Sequence, residues 1–142
     1  MNTMTVPTRQ ETVGAIMTKN PITVDFDVPI RKVLQTMIDR DIGSLIVMKD
    51  GNPVGIITER DVTRISVSLI GGQNIYEDVV GRLMSSPIVT VPPDVPVQDA
   101  FELMVTRKIR RLPVVDQGRL VGIITERDLF KWSSNILRLR NP

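Results

Sequence analysis

The sequence contains no cysteine and no histidine. The lack of cysteine excludes disulfides, thiolate nucleophiles and Cys-ligated zinc or iron–sulfur sites. The lack of histidine excludes the Ser–His–Asp and Cys–His triads, His-ligated metal sites and the usual general base near neutral pH. The chain also has no Gly-rich phosphate loop of the G-x-x-x-x-G-K-[ST] type and no dinucleotide fingerprint. We therefore predict a protein that is not an enzyme and that holds no metal.

Aromatic residues make up only 4% of the chain, so aliphatic side chains and methionine must supply most of the core. No stretch approaches the roughly 18 to 20 apolar residues that a membrane helix needs. The first ten residues lack the basic and apolar segments of a signal peptide. These absences predict a cytoplasmic protein with no membrane contact.

The charge balance is nearly neutral. Eighteen basic and 16 acidic residues give a formal net charge of +2, and the pI near 9.3 arises because no histidine buffers this small excess. The small net charge, the few aromatic residues for base stacking and the lack of a nucleic-acid-binding motif disfavour a nucleic-acid partner. Only a local cluster of bases, described below, keeps that alternative open.

The strongest feature of the sequence is an internal repeat. The segment Gly55–Asp61 recurs unchanged as Gly122–Asp128, and the same 67-residue offset aligns the chain without gaps back to Val13 and Val80. A seven-residue identity within a gapless register indicates a tandem duplication. The predicted organisation is an N-terminal tail (1–12), repeat 1 (13–66), a linker (67–79), repeat 2 (80–132) and a C-terminal tail (133–142).

Each repeat shows the same succession of hydrophobic patterns. A short extended run precedes an amphipathic helix, which begins near Pro29 in repeat 1 and near Pro96 in repeat 2. A buried strand, a turn at Asp50-Gly51 and a second strand then predict a β-hairpin. A second helix follows from Thr58 or Glu59. The predicted fold is α/β of the α+β kind, with two tandem β-α-β-β-α repeats.

The motifs Thr58-x-x-Asp61 and Thr125-x-x-Asp128 lie where a predicted strand passes into a predicted helix. A threonine followed three residues later by an acid is the pattern of a helix capping box. The same junction presents backbone N–H groups and a helix dipole that suit phosphate, and a carboxylate held there can accept the hydroxyls of a ribose. Capping and ligand binding are compatible, so both interpretations stay open. Arg60 and Arg127, inside the same motifs, could reach a phosphate or pair with nearby acids.

The entry to the second strand differs between the repeats. Repeat 2 carries four bases within five positions, and Arg110 and Arg111 stand where repeat 1 has Gly43 and Ser44. A run of like charges is usually a solvated face. Guanidinium groups, however, also bind phosphate in a bidentate manner. The asymmetry predicts two unequal sites, one of which binds weakly or not at all.

Three motifs together carry a resemblance to a known family. They are Met-Thr-x-x-Pro-Ile-Thr-Val at Met17–Val24, the strand Arg111–Asp116, and Val-Gly-Ile-Ile-Thr-Glu-Arg-Asp starting at Val54 and again at Val121. This combination resembles the CBS domain (cystathionine-β-synthase domain), present twice as a CBS pair or Bateman module. The resemblance extends from about residue 13 to residue 132, and at this length the chain is similar to the stand-alone class.

The resemblance implies two repeats packed with pseudo-twofold symmetry, and disc-like homodimers. It implies a non-catalytic sensor that binds a regulatory adenine nucleotide in the clefts between the repeats. Such a sensor signals to a regulated protein, here unknown, through a change in conformation or in the dimer. AMP ranks first as the ligand, ADP and ATP come next, and S-adenosylmethionine follows them.

The resemblance also implies which residues contact the ligand. The threonine and aspartate of each Thr-x-x-Asp motif hold the ribose. The turn before the first strand holds the adenine, whose face Ile22 or Val89 covers; the alternative is a plain strand entry that proline keeps extended. The entry to the second strand approaches the phosphates. The full set of predicted ligand contacts is Thr18, Asn20, Pro21, Ile22, Ile42, Gly43, Ser44, Thr58, Arg60, Asp61, Ser85, Pro87, Ile88, Val89, Ile109, Arg110, Arg111, Thr125, Arg127 and Asp128.

Two other functions stay open. A nucleic-acid-binding protein is supported by the bases around Arg110 and by Arg138 and Arg140 in the predicted tail. A purely dimerising module with degenerate clefts is the other alternative. The intact Thr-x-x-Asp motif in both repeats argues against it.

Overall fold

The computed structural model describes residues 11–140, and their side chains as far as Arg138. Residues 1–10 of the predicted N-terminal tail (1–12) lie outside the described residues. The elements in chain order are α1 (Val13–Ile16), β1 (Thr18–Lys19), β2 (Thr23–Asp25), α2 (Ile30–Asp39), β3 (Ser44–Lys49), β4 (Asn52–Thr58), α3 (Glu59–Ile70), α4 (Val80–Leu83), α5 (Val97–Arg107), β5 (Arg111–Asp116), β6 (Arg119–Thr125) and α6 (Glu126–Arg140). Among the described helices none has the length and apolar character to span a bilayer.

The chain folds into two compact units that do not coincide with the two sequence repeats. One unit, here called the continuous unit, is Pro21–Ile88. The other, here called the discontinuous unit, joins the described residues up to Asn20 to those from Val89 onward. Each unit contains one three-stranded sheet, which confirms the predicted mixed α+β class.

The continuous unit contains the sheet β2-β3-β4. Strand β2 runs parallel to β3, and β3 pairs with β4 in an antiparallel hairpin. Gly51 in the hairpin turn has a φ of 80° with open space around it, as the Asp-Gly pattern predicts. At the outer edge of β4, Ser85 exchanges two backbone hydrogen bonds with Ile56, of 3.1 and 2.9 Å.

The discontinuous unit contains the sheet β1-β6-β5, in which both pairs are antiparallel. Thr18 of β1 lies opposite Ile123 of β6, which repeats the pairing of Ser85 with Ile56. The opening segment of each repeat therefore joins the sheet of the other repeat. We call this arrangement the segment exchange.

The first strand of repeat 2 is reduced to a single parallel bridge between Val91 and Val114. In repeat 1 the ladder continues because the N–H of Phe26 donates to the carbonyl of Met48 at 2.9 Å. The matching residue in repeat 2 is Pro93, which has no N–H to donate. The predicted β-α-β-β-α order is therefore complete only in repeat 1.

Two hydrophobic cores correspond to the two units. On α2 the residues Ile30, Val33 and Met37 are buried, as the amphipathic pattern predicts. Ile38 continues the same pattern but is 73% exposed, and Val105, its counterpart on α5, is 66% exposed. The apolar stripe on each helix is thus wider than the face that the sheet of its own unit covers.

Helix α6 continues well beyond Trp132 to Arg140. The residues predicted as a C-terminal tail begin at residue 133, so most of them extend this helix. The helix runs from Glu126 through these residues without a break. Trp132 itself packs against the core of the discontinuous unit.

Candidate functional site

Both Thr-x-x-Asp motifs form helix capping boxes. Strand β4 ends at Thr58, whose backbone N–H donates to Oδ2 of Asp61 at 2.8 Å. Strand β6 ends at Thr125, whose N–H donates to Oδ2 of Asp128 at 2.9 Å. In α6 the N–H of Asp128 returns a bond to Oγ1 of Thr125 at 3.3 Å. The caps fix both carboxylates at the N-termini of α3 and α6.

The segment exchange brings one further hydroxyl to each carboxylate. Thr18, from repeat 1, points its hydroxyl at Oδ1 of Asp128 at 3.4 Å. Ser85, from repeat 2, donates to Oδ1 of Asp61 at 2.7 Å. Each polar cluster therefore combines residues of both repeats, a combination that the repeat alignment does not reveal.

Two glycines make the exchange sterically possible. A Cβ on Gly122 would lie 2.5 Å from the sulfur of Met17 and 2.8 Å from the carbonyl oxygen of Thr18. A Cβ on Gly55 would meet Met84 and the Ser85 carbonyl in the same way. The glycine of the repeated Val-Gly-Ile-Ile motif thus leaves room for the incoming segment, which in turn carries the hydroxyl to the carboxylate.

The backbone N–H groups at the two helix N-termini are largely in use. The N–H of Glu126 donates to the carbonyl of Arg110 at 2.9 Å, and that of Glu59 to the carbonyl of Gly43 at 3.2 Å. The N–H of Asp128 is bonded to its capping threonine. The expectation that these amides stand ready for a phosphate is therefore wrong for most of the first turn. Phosphate recognition would depend on side chains instead.

The residues predicted to approach phosphates lie beside the caps. Arg111 pairs in register with Thr125, and Ser44 pairs with Thr58. Ile109 and Ile42 close the turns after α5 and α2, since their N–H groups bond to Met104 and Met37 at 3.1 and 3.0 Å. The entry to the second strand thus lies next to the capping threonine in both units.

The turn predicted to hold an adenine is divided between the units. Thr18 and Asn20 belong to the discontinuous unit, whereas Pro21 and Ile22 belong to the continuous one. Asn20 has a φ of 56° at this division. The second copy is divided likewise, since the continuous unit ends at Ile88 and Val89 starts the other part of the discontinuous unit. Pro87 lies in the continuous unit with Ser85.

The discontinuous unit has a groove of about 850 Å³ between α5 and α6, which the sequence patterns did not predict. The predicted site residues Ile109, Arg110 and Arg127 lie on its wall. Within the described residues, neither Arg110 nor Arg127 forms an ion pair, so neither neutralises a nearby acid. The groove is lined by Phe101, Met104, Val105, Lys108, Ile109, Arg110, Glu126, Arg127, Leu129, Phe130 and Ser133.

Arg64 is a residue of the continuous unit that sequence reasoning missed. One of its terminal nitrogens, Nη2, lies 3.4 Å from Oδ1 of Asp61 and donates to the carbonyl of Leu83 at 2.6 Å. Its spacing three residues after Asp61 on a helix is the signal that could have identified it. The counterpart in repeat 2 is Lys131, whose side chain has no hydrogen bond or ion pair within the described part of the chain.

The comparison with protein families matches the CBS domain to residues 13–68 and again to residues 80–135. MK0525 of Methanopyrus kandleri is 37% identical over 125 residues, which cover 87% of this chain and 63% of that protein. MJ1225 of Methanocaldococcus jannaschii is 33% identical over 137 residues, covering 92% of this chain and 48% of that protein. The chain therefore spans only about half to two thirds of the length of these relatives.

An inosine-5'-monophosphate dehydrogenase of Nitrosopumilus maritimus is also similar, with 30% identity over 118 residues, but the match covers only 23% of that enzyme. Among solved structures, CBSX2 in complex with AMP has a TM-score of 0.76 and 30% identity, over 88% of this chain and 97% of that chain. The CBS domain pair of MJ0100 in complex with 5'-methylthioadenosine and S-adenosyl-L-methionine has a TM-score of 0.75 and 29% identity, over 87% of this chain and 96% of that chain. Since the family match covers both repeats, the chain belongs to the CBS domain family, as a pair of domains of a kind that serves as a regulatory module in many proteins.

Proposed function

We propose that this CBS pair is a non-catalytic sensor that binds an adenine nucleotide through the carboxylate of Asp128. The ligand ranking is AMP first, ADP and ATP next, and S-adenosylmethionine after them. Two similar structures support an adenosine-type ligand, since one is a complex with AMP and the other with 5'-methylthioadenosine and S-adenosyl-L-methionine. The observation that carries the proposal is the unfilled hydrogen-bonding capacity of Asp128.

An ionised carboxylate can accept about four hydrogen bonds, two at each oxygen. Oδ2 of Asp128 accepts from the N–H and the hydroxyl of Thr125 at 2.9 and 3.1 Å. Oδ1 has only the hydroxyl of Thr18, at the long distance of 3.4 Å. The cap therefore holds the carboxylate in place and leaves Oδ1 with one open position and one long bond. Oδ1 can accept one ribose hydroxyl directly and a second in place of Thr18.

The negative charge of a phosphate favours binding in the discontinuous unit, which contains Asp128. Arg110 and Arg127 are exposed, and neither forms an ion pair within the described residues. Guanidinium groups bind phosphate oxygens in a bidentate manner. Arg111 adds a third positive charge next to Thr125. A nucleotide with few phosphates matches this small cluster, which is the reason to rank AMP first.

Calorimetry with AMP, ADP, ATP and S-adenosylmethionine tests the proposal. Charge-assisted hydrogen bonds contribute roughly 1.5 to 3 kcal/mol each. Loss of the Asp128 carboxylate should therefore weaken AMP binding at least tenfold, since a factor of ten corresponds to about 1.4 kcal/mol. Asp128→Ala is the test variant, and Asp116→Ala, an exposed acid of the same unit, is the matched control.

The cap makes a folding control necessary. Removing a capping side chain costs about 0.5 to 2 kcal/mol, so Asp128→Ala should melt earlier but remain folded by circular dichroism. Asp128→Asn keeps an acceptor for the N–H of Thr125 and separates the loss of charge from the loss of the cap. Equal AMP affinity in the wild type and in both Asp128 variants would refute the role of this residue.

The proposal includes a homodimer that forms through the exposed helix faces. Ile38 and Val105 occupy the same position in the two repeats, and both are exposed. Phe101 and Phe130 add aromatic surface to the groove of the discontinuous unit. Exposed apolar surface of this kind marks interaction sites. Ligand binding would then be transmitted to a regulated protein through a change in conformation or in the dimer, and the cytoplasm, where adenine nucleotides are abundant, is the proposed location.

A further inference from the structure

We infer that the chain binds one nucleotide rather than two, because Arg64 and Ser85 already fill the acceptor positions of Asp61. This inference rests on the proposed function, since it takes the Asp128 cluster to be the site. Arg64 acts here as a residue that determines which of the two repeated clusters can accept a ligand.

Asp61 has three donors within 3.2 Å, and the fourth group near it is a guanidinium at 3.4 Å that forms an ion pair with it. Oδ2 accepts from the N–H and the hydroxyl of Thr58 at 2.8 and 3.2 Å. Oδ1 accepts from the hydroxyl of Ser85 at 2.7 Å and from Arg64 at 3.4 Å. These four donors match the roughly four positions that a carboxylate offers. A ribose could bind only by displacing donors that are already in place.

The corresponding cluster around Asp128 differs at both of the extra donors. Thr18 replaces Ser85 and stands 3.4 Å from Oδ1 instead of 2.7 Å. Lys131 replaces Arg64, and its side chain has no hydrogen bond or ion pair within the described residues. Oδ1 of Asp128 therefore has only one long hydrogen bond. Oδ1 of Asp61 has a short hydrogen bond and an ion pair.

Burial increases the cost of displacement. The residue Asp61 is only 4% exposed, whereas Asp128 is half-buried. Removing a partner from a buried charge costs more than removing one from an exposed charge, because little water replaces the lost bond. Arg64 is also held at its other contact, the 2.6 Å bond to the carbonyl of Leu83. That bond anchors the guanidinium beside Asp61.

The phosphate position gives a second, independent reason. Where the discontinuous unit has Arg110 and Arg111, the continuous unit has Gly43 and Ser44. Neither replacement carries a charge to attract a phosphate. The continuous unit thus lacks both the acceptor for a ribose and the two guanidinium groups for its phosphate.

Calorimetry with AMP on the full chain gives the stoichiometry. We expect one AMP per chain, an affinity at least tenfold weaker in Asp128→Asn, and an affinity within twofold of the wild type in Asp61→Asn. Two AMP per chain, or a loss of at least tenfold in Asp61→Asn, would overturn the inference while leaving the sensor intact. Absence of binding by the wild type to any of the adenosyl ligands would instead refute the proposed function itself.

A second experiment transfers the blocking residues to the other cluster. Lys131→Arg combined with Thr18→Ser gives the discontinuous unit the donors of the continuous unit. We expect AMP affinity to fall at least tenfold, with the fold intact by circular dichroism. Lys131→Ala is the matched control and should bind as the wild type does. Unchanged affinity in the double variant would show that these donors do not block the carboxylate, and would overturn the role of Arg64.

Discussion

Gly122 lies where the incoming segment of repeat 1 crosses β6, and Gly122→Ala gives a direct measure of how much that contact contributes. The added Cβ would stand 2.5 Å from the sulfur of Met17 and 2.8 Å from the Thr18 carbonyl oxygen. Met17 is flexible and can move, but the carbonyl belongs to the backbone of β1 and cannot yield without moving the strand. The substitution should therefore displace β1 from the sheet.

The magnitude follows from two contributions. Overpacking a core costs about 1 to 3 kcal/mol. Weakening the two-residue ladder between β1 and β6 adds about 0.5 to 1.5 kcal/mol for each hydrogen bond lost. The free energy of unfolding should therefore fall by about 2 to 4 kcal/mol.

Urea denaturation followed by the fluorescence of Trp132 measures the loss in the free energy of unfolding in the discontinuous unit. The chain has a single tryptophan, and it packs against the core of the discontinuous unit. With a urea dependence of about 2 kcal/mol per molar, the middle of the usual range, the midpoint should fall by about 1 to 2 M. The slope of the free energy of unfolding against urea concentration should stay nearly constant if the native core remains compact.

Gly71→Ala is the control for the glycine-to-alanine change itself. Gly71 lies in the continuous unit, so the unfolding of both variants is also followed by circular dichroism, which reports the whole chain. Its Cβ would meet only the carbonyl oxygens of Val67 and Ser68, at 3.4 and 3.5 Å, and the φ of Gly71 is −73°. We expect a change within about 1 kcal/mol, because alanine reduces the freedom of the unfolded chain without a native clash. The reasoning about the close approach would fail if Gly122→Ala were as mild as this control.

Two further predictions concern pH and assembly. The hydrogen bond to Asp27, with smaller effects of desolvation and of the charges of Asp27 and Asp50, raises the pKa of Asp25 above its usual value. A carboxyl whose folded pKa is raised contributes stability that is complete below its unfolded pKa and is lost as pH rises through the folded pKa. Asp25→Asn should therefore gain stability relative to the wild type as pH rises from about 3 to about 7, and equal differences in urea midpoint at every pH would contradict this. Val105→Glu places a charge on the exposed face of α5 and should shift the sedimentation of the proposed dimer to that of a single chain. Glu102→Lys, on the same helix, should leave the sedimentation unchanged. Identical sedimentation of the wild type and Val105→Glu would refute the dimer through this face.

Much of the fold was predictable because local patterns determine it. The Thr-x-x-Asp caps, the Asp-Gly turn and the stripe Ile30, Val33 and Met37 each depend on residues close in sequence, and the structure has all three. The shortening of the first strand of repeat 2 was also predictable from the sequence. Pro93 occupies the position at which Phe26 of repeat 1 donates its N–H.

The segment exchange was not predictable from the repeat. The 67-residue offset pairs Thr18 with Ser85 but does not say which sheet either residue joins. That choice depends on contacts between residues about 100 positions apart, such as Thr18 with Ile123. The ion pair of Arg64 was missed for a related reason. The sequence predicts two unequal sites from Arg110 and Arg111 alone. The further difference at Arg64 depends on a single side chain outside the identical motif.

The exchange has a consequence for how this gene can change. Each unit needs a short piece that the other repeat encodes, namely α1 and β1 in one case and the segment around α4 and Ser85 in the other. Deleting one repeat would therefore remove an edge from the sheet of the survivor. The two copies differ in sequence, as at Arg64 and Lys131, but each sheet takes its edge segment from the other copy. The duplication therefore produced two repeats that depend on each other for a complete sheet.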